Sequence, residues 1–415
     1  FGADTNWHMG LDAHKFITPD FKYALTLYPD YSDIEAVYQT IDISYTETWL
    51  QDTRPFFTEG SEYFGSFYSR RIDKFDWGLK AFGQAGKNQI GFLNCTRLDP
   101  FRNDTVFNFS HNPTYQSYIG ATIQSRVEKG YKNLLIGVGS GFGSSEYNFN
   151  FNYGTTYMEP GSKGFSYEGR FWKRLGERGG FFCSYSGVSP DFYPDLQLVG
   201  ETGIKRGNLG IFYRDIAPRG AKWWESYRIR LFYNRGSYWT GGLRTESKGF
   251  SLSIGLRGDI SINFNRNITF YDPYRDNFTS FSIGLGAPEK RYSIGLGYGE
   301  GIRTNLPYKF ASGWIGRQLL NDRLNISLNM EKRWVEEEGG WSATQQMWGS
   351  ISYDLGRDFW IIFRIYGFKD TESHTNISAV VRKRGEDKRN FYLVLGDPLG
   401  IDTKARVVIK YVYPW

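Results

Sequence analysis

The feature that most constrains this chain is a period-two alternation of apolar and polar residues, which recurs throughout its carboxyl-terminal half. From Leu324 to Glu331, for example, every second residue is Leu, Ile or Met, and the residues between them are Asn, Ser and Glu. Comparable runs begin at Tyr227, Phe250, Tyr292, Phe359, Phe391 and Val407. Such alternation predicts β-strands with one apolar face, and the spacings of three and four typical of helices are not sustained. The chain is therefore predicted to be all-β.

The length of the runs indicates a membrane protein. Each run is about 9–11 residues, the length that crosses a bilayer at a tilt, whereas strands of soluble sandwiches average about 5–6. Aromatic residues make up 18% of the chain, yet the mean hydropathy is only −0.49. A transmembrane β-barrel explains both values, because only alternate residues face lipid. No window approaches 18 consecutive apolar residues, which excludes a helical membrane protein.

The predicted architecture is a closed antiparallel transmembrane β-barrel of about 22 strands, within a range of 20–24, formed by residues 1–415 as a single domain. Closure of a bacterial barrel favours an even number. Tight turns such as 320–322 are expected at one end and longer loops such as 334–343 at the other. The alternation is weaker over 95–114 and 187–208. Aromatic residues of the last strand predict a girdle at the periplasmic end, formed by Tyr411, Tyr413 and Trp415.

An inserted segment at 29–66 interrupts the alternation and is predicted to plug the barrel, with a short helix around 31–38. Residues 30–64 contain one arginine, Arg54, and eight acidic residues: Asp30, Asp33, Glu35, Asp42, Glu47, Asp52, Glu59 and Glu62. Their net charge of −7 leaves +13 for the remainder of a chain whose total is +6. We expect these acids to pair with basic residues that line the lumen, because charges on a lipid-facing surface are costly. The predicted basic lining is Arg228, Arg230, Arg364, Arg382, Arg406 and Lys410.

Calcium is an alternative partner for part of this segment. Asp30, Asp33 and Glu35 supply oxygen ligands of the kind that calcium accepts, although their spacing is not that of an EF-hand. No other cofactor is expected. The sequence has no HExxH, CxxC, G-x-S-x-G or Walker motif, so no enzymatic activity is predicted. The positive charge forms no basic block, so nucleic acid is not an expected partner.

Several stretches resemble an uncharacterised family of outer-membrane barrels. They are TLYPDYSDIEAVYQTID (26–42), RPFFTEGSEYF (54–64), FYSRRI (67–72) and SPDF (189–192), and the resemblance is most specific over residues 20–94. Members of that family usually carry an amino-terminal β-sandwich similar to a carbohydrate-binding module, which is absent from this sequence. The resemblance implies a barrel in the outer membrane and implies no catalytic residues.

Two functions remain open at this stage. A barrel of about 22 strands encloses a lumen too wide for side chains alone to fill, which favours a plugged channel or porin-like passage for a hydrophilic solute. The alternative is a membrane anchor or assembly platform that holds a surface or periplasmic partner. The expected partner in either case is outer-membrane lipid, and the second function adds an envelope protein or lipoprotein.

Overall fold

The computed structural model describes residues 10–29, 49, 52, 54–217, 223–287, 291–370, 372–384, 390–396, 403 and 407–412. Strands dominate this part of the chain, as the period-two alternation predicts. One short helix, α1 (Pro55–Thr58), and two 3-10 turns (Ser61–Phe64 and Ser69–Arg71) lie between the second and third strands. None of the described helices is long and apolar enough to span a membrane.

The described residues form 23 strands. The first twelve are β1 (Leu11–Thr18), β2 (Phe21–Leu27), β3 (Trp77–Ala85), β4 (Asn88–Arg97), β5 (Arg102–Thr114), β6 (Ser117–Glu128), β7 (Tyr131–Gly143), β8 (Tyr147–Glu159), β9 (Ser162–Leu175), β10 (Gly179–Val188), β11 (Ile204–Ile216) and β12 (Trp224–Tyr238). The remaining eleven are β13 (Leu243–Leu256), β14 (Ile260–Tyr271), β15 (Tyr274–Ala287), β16 (Tyr292–Arg303), β17 (Leu306–Leu319), β18 (Leu324–Glu337), β19 (Gly340–Gly356), β20 (Phe359–Lys369), β21 (Ser373–Arg384), β22 (Asn390–Leu395) and β23 (Val407–Val412).

All 23 strands form one antiparallel sheet, in which each strand pairs with its neighbours in the chain. The number lies inside the predicted range of 20–24, but it is odd, whereas an even number was expected. Within the described residues β1 pairs with β2 alone and β23 pairs with β22 alone. We call the end with the β1–β2 and β3–β4 turns end A, and the end with the β2–β3 and β4–β5 connections end B.

The sheet separates its side chains by chemistry. On β16, Ile294 and Leu296 are exposed and lie opposite two further exposed apolar residues of β15, Leu285 and Ile283. Since directly opposed residues of an antiparallel pair point to the same face, these side chains form one continuous apolar surface. Ser293 and the glycines that alternate with the apolar residues of β16 lie on the other face. We call the face with the exposed apolar residues the outer face and the opposite one the inner face.

The predicted contrast between short turns at one end and long loops at the other is wrong for the β14–β15, β16–β17 and β18–β19 hairpins, whereas the connection between β22 and β23 is long, as predicted. The predicted loop at 334–343 is a hairpin whose turn is only 338–339, and 304–305 and 272–273 are equally tight turns of end B. The strands extend through polar residues that suggested loops, because pairing requires only backbone groups. In this hairpin Glu336 lies opposite Trp341 and Glu337 opposite Gly340. Three connections of end B are long: 28–76, 189–203 and 396–406.

Candidate functional site

A segment of the first long connection, residues 54–76, packs on the inner face of the neighbouring strands. Phe57, Phe64, Ile72 and Phe75 of this segment are buried in one apolar cluster. The sheet contributes Phe82 of β3, Leu93 and Cys95 of β4, and Val106 of β5. The segment is therefore attached by an apolar core of its own, which acidic composition alone did not suggest.

Arg54 organises the start of this segment. Its Nε donates to Asp52 Oδ1 at 2.9 Å, and its Nη2 donates to Asp52 Oδ2 at 2.6 Å. The same guanidinium donates to the carbonyl oxygen of Ile72 at 2.6 Å and to that of Ser69 at 2.9 Å. It also lies over the ring of Phe57, 4.3 Å from the ring centre. One side chain thus connects the beginning of the segment to its end.

Two lysines of the sheet hold the middle of the segment. Lys80 of β3 is fully buried, and its Nζ donates to the carbonyl oxygen of Phe56 and, at 2.6 Å, to that of Glu59. Lys22 of β2 forms an ion pair with the Glu59 carboxylate. Because a buried ammonium group must be hydrogen-bonded, the two carbonyl groups fix the position of the segment above Lys80.

Two arginines of the sheet hold the end of the segment. Arg102 of β5 and Arg126 of β6 both donate to the carbonyl oxygen of Arg71, at 3.1 and 2.8 Å. Both also bind the buried carboxylate of Asp104, at 2.8 and 2.7 Å. Arg102 pairs in addition with Asp73 at 2.8 Å. The carboxylates of Asp104 and Asp73 together compensate the two arginines, so that these can bind a neutral carbonyl group without leaving an unpaired charge.

The second long connection, 189–203, lies beside the first on the same inner face. Phe67 and Gln197 form an isolated antiparallel bridge, and the Tyr68 amide donates to the carbonyl oxygen of Leu196 at 2.8 Å. The Leu196 side chain belongs to the apolar cluster described above. Asn133 of β7 donates to the carbonyl oxygen of Tyr193 at 2.6 Å. The described parts of the two connections therefore pack against each other on the inner face.

Two glycines of the sheet make room for these connections. A Cβ atom at Gly91 of β4 would lie well inside contact distance of the Tyr63 carbonyl oxygen. A Cβ atom at Gly164 of β9 would overlap the backbone of Asp191 and Phe192. Since the clashing atoms are backbone atoms, any larger residue at either position must displace the connection above it.

Burial raises the pKa of each of these acidic groups, but the net shift differs between the two connections. Burial disfavours the charge of Asp52, but hydrogen bonds from Arg54 and Ser69 outweigh it and lower the pKa of Asp52. The pKa of Glu59 is lowered in the same way by Lys22, and that of Asp73 by a backbone hydrogen bond and by Arg102, against the effect of burial. Burial raises the pKa of Asp195, because Arg126 and Tyr131 offset it only in part. The ionised forms of Asp52, Glu59 and Asp73 are thus favoured, whereas the ionised form of Asp195 is disfavoured.

A cavity of about 680 Å³ remains on the inner face beside the two connections. Its lining includes Gly120, Gly137 and Gly139, together with polar side chains such as Asn108 and Asn152. Glycines without side chains widen this region, and the amide groups can hydrogen-bond to a hydrophilic solute. The connections therefore leave part of the inner face open.

The predicted basic residues that are described lie on the inner face. Arg228 and Arg230 of β12 lie between residues of the outer face such as Leu231, and Arg230 lies over the Phe182 ring, 5.1 Å from its centre. Arg364 and Arg382 alternate with outer-face residues of β20 and β21 in the same way. Arg406 and the side chain of Lys410 lie outside the described residues.

The predicted pairing of acids with these arginines is not what the described acids show. Asp52 pairs with Arg54 of its own segment and Glu59 pairs with Lys22, while Glu62 is exposed. The cations of the sheet that hold the segment are Lys22, Lys80, Arg102 and Arg126, and none of them is among the predicted basic residues. The remaining predicted acids, Asp30, Asp33, Glu35, Asp42 and Glu47, lie outside the described residues.

The calcium and girdle predictions fall largely on the same undescribed parts of the chain. All three proposed calcium ligands lie there, and in the described part no group of three or more His, Cys, Asp and Glu side chains is placed to hold a metal. Tyr411 is exposed on the outer face of β23, opposite Phe391, as a girdle residue would be. Tyr413 and Trp415 lie outside the described residues.

Comparison with known proteins gives one family match. Residues 2–89 match a family described as "Domain of unknown function (DUF5916)", over the stretch that carries the resemblance noted from the sequence. No curated protein matches the chain. The description of the family contains no activity.

Several solved structures show a distant likeness. The siderophore receptor PirA from Acinetobacter baumannii is 8% identical, with a TM-score of 0.49 over 82% of this chain and 78% of that chain. PirA from Pseudomonas aeruginosa is 7% identical, with a TM-score of 0.49 over 78% of each chain. OpdL from Pseudomonas aeruginosa is 10% identical, with a TM-score of 0.42 over 81% of this chain and 96% of that chain. Similarity at this level says nothing about substrate or mechanism.

Proposed function

We propose that the sheet closes into a transmembrane barrel of the outer membrane and forms a passage for a hydrophilic solute, which the connections 54–76 and 189–203 narrow. The observation that carries this proposal is the separation of the two faces. One face presents exposed apolar side chains on strand after strand, with a few cations such as Lys248 and Arg266 among them, and the other presents arginines, lysines and a packed inner segment. A sheet of this kind is stable only with lipid on one side and water on the other.

Energetics support the orientation. A charged side chain on a lipid-facing surface costs about 2–4 kcal/mol at the middle of the bilayer. Arg228, Arg230, Arg364 and Arg382 all avoid that cost by lying on the inner face. Closure also removes the two free edges of the sheet, whose unpaired backbone groups have no partners in lipid.

The amount of inner surface favours a passage over a solid barrel. A closed barrel of this many strands has a lumen wider than its side chains can fill. The core beneath connection 54–76 involves β3, β4 and β5, and connection 189–203 extends the covered area to β7 and β9. Strands β12, β20 and β21 contribute the inner-face arginines described above, and a cavity of about 680 Å³ adjoins the connections.

The test measures the conductance of the protein in a planar lipid bilayer while the inner segment is either detached from the sheet or tethered by a disulfide. Arg54→Met removes the side chain that connects the two ends of the segment. In the same chain Phe67→Cys and Gln197→Cys place two thiols at an antiparallel bridge, where the Cα separation of about 4.5–5.5 Å suits a disulfide. Cys183→Ser removes the half-buried native thiol, which could pair with the introduced cysteines. Cys95 is retained because it is buried. We expect reductant to raise the mean conductance of this variant.

The matched control is Arg54→Met with Cys183→Ser alone, whose conductance should not respond to reductant. A reconstituted protein that conducts no ions in any of these forms would rule out a passage and favour the anchoring platform. Equal conductance before and after reduction, in a protein that does conduct, would place the ion path away from connections 54–76 and 189–203.

A further inference from the structure

A second pocket lies on the outer face, across β10 to β14. Its volume is about 620 Å³, and its floor includes Gly210 and Gly249. The pocket is of the size that ligand sites usually have. Its side chains are mostly apolar, but two are basic: Phe181, Leu209, Ile211, Leu231, Tyr233, Phe250 and Ile268, with Lys248 and Arg266.

The two basic residues are neighbours on the sheet. Lys248 of β13 lies opposite Ile268 of β14, and Phe250 lies opposite Arg266, so the two cations occupy a diagonal pair of positions. Residues in such positions are about 7–8 Å apart, within the reach of long side chains. Both side chains are exposed. Two like charges thus lie side by side on a surface that is otherwise apolar.

Neither cation has an ion-pair or hydrogen-bond partner in the described part of the chain. Two acidic residues lie near them on this face, Glu246 of β13 and Glu300 of β16. Each carboxylate accepts a hydrogen bond from a tyrosine hydroxyl, that of Tyr233 at 2.6 Å and that of Tyr298 at 2.7 Å. Other lysines nearer end B of the outer face stack on aromatic rings. Lys309 lies 4.6 Å from the ring centre of Trp341, and Lys332 lies 5.0 Å from that of Trp334.

We propose that this pocket binds a phosphate-bearing membrane lipid, with the phosphate between Lys248 and Arg266 and an acyl chain along the apolar lining. This inference rests on the proposed insertion of the sheet in a membrane. A phosphate group supplies the negative charge that the two cations lack, and basic pockets on membrane proteins bind anionic headgroups for this reason. The apolar remainder of the pocket gives the acyl chain a surface that a free anion would not use.

The test measures lipid retention by native mass spectrometry. Protein reconstituted in nanodiscs of equal phosphatidylcholine and phosphatidylglycerol is released in detergent, and the bound lipid is counted. Wild-type protein should retain phosphatidylglycerol in preference to phosphatidylcholine. Lys248→Gln with Arg266→Gln should weaken that preference about tenfold or more, and each single substitution should weaken it less. The matched control is Lys309→Gln with Lys332→Gln, which removes two cations of the same face that have aromatic partners and should preserve the preference.

Retention of phosphatidylglycerol by the double variant at the wild-type level would overturn the proposal. Release of the lipid by millimolar inorganic phosphate would also overturn it, since it would show a site for a free anion. Insertion is checked separately, by the shift in migration between unheated and boiled samples on a denaturing gel. A protein that shows no such shift and no incorporation into nanodiscs would refute the barrel itself, whereas loss of lipid preference in an inserted variant concerns the pocket alone.

Discussion

Replacement of Arg54 by methionine should release the inner segment while leaving the sheet intact. Arg54 makes a two-pronged ion pair with Asp52 and donates to the carbonyl groups of Ser69 and Ile72, at the start and the end of the second 3-10 turn. Asp52 is 9% exposed, so its carboxylate would lose its partner in a largely buried site. Breaking a buried pair by removing one partner costs about 3–5 kcal/mol. Methionine preserves most of the apolar contact with Phe57, so the loss is mainly electrostatic.

Hydrogen–deuterium exchange with peptide-level resolution measures this effect. A loss of 3–5 kcal/mol corresponds to exchange that is roughly 100- to 5,000-fold faster, since each 1.36 kcal/mol is a factor of ten. The affected amides include Thr58 and Ile72, which hydrogen-bond within the segment. Strand amides should be unaffected. The matched control is Arg230→Met, which removes an inner-face arginine of β12. Unchanged exchange over 55–72 in Arg54→Met, or an equal effect in the control, would refute the reasoning.

Three further predictions concern the same site. The ionised Asp52 carboxylate stabilises the inner segment above its unfolded pKa of about 4, and this stabilisation is lost as the pH falls through the lower pKa of the folded state, so conductance should rise below about pH 4. Asp52→Asn should show the same rise in conductance at neutral pH. Asp195→Asn should not, because the pKa of Asp195 is raised in the folded protein. Gly91→Ala should displace the inner segment and speed its cleavage by added protease, whereas Gly169→Ala of β9, with open space around it, should not. Lys80→Met should leave two buried carbonyl groups unsatisfied at about 1–3 kcal/mol each, measurable as faster amide exchange over 55–64.

The sheet was predictable because the alternation reports directly which face meets lipid. The signal weakens over 95–114 for a physical reason that the structure supplies. Val106 is buried under the inner segment while Phe107 is exposed on the outer face, so both faces of β5 are apolar there. Over 187–208 the weak alternation has another cause, since 189–203 is a connection and not a strand.

The site was less predictable than the fold. Acidic composition indicated correctly that the insert is unlike a strand, but the groups that hold it are aromatic residues and carbonyl oxygens. Charge counting cannot identify a carbonyl acceptor, so Lys80 and Arg126 could not be separated from other inner-face cations. The sequence does contain one signal for the site. Arg102 and Asp104 are two residues apart on a strand and therefore share one face, which predicts an ion pair on that face. The polar residues of 334–343 predict a loop, but strand pairing continues through them as far as the turn at 338–339.

The orientation of the sheet is the central claim, and spin labels on a single strand of the reconstituted protein test it most directly. Cysteines introduced one at a time at 293 to 298 of β16, in the Cys183→Ser background, each receive a nitroxide. Relaxation by oxygen, which concentrates in lipid, is compared with relaxation by a water-soluble nickel complex. The structure predicts strong oxygen relaxation for labels at Ile294, Leu296 and Tyr298 and strong nickel relaxation for labels at Ser293 and Gly297. Equal access of the nickel complex to both sets, without a period of two, would contradict a membrane-spanning sheet.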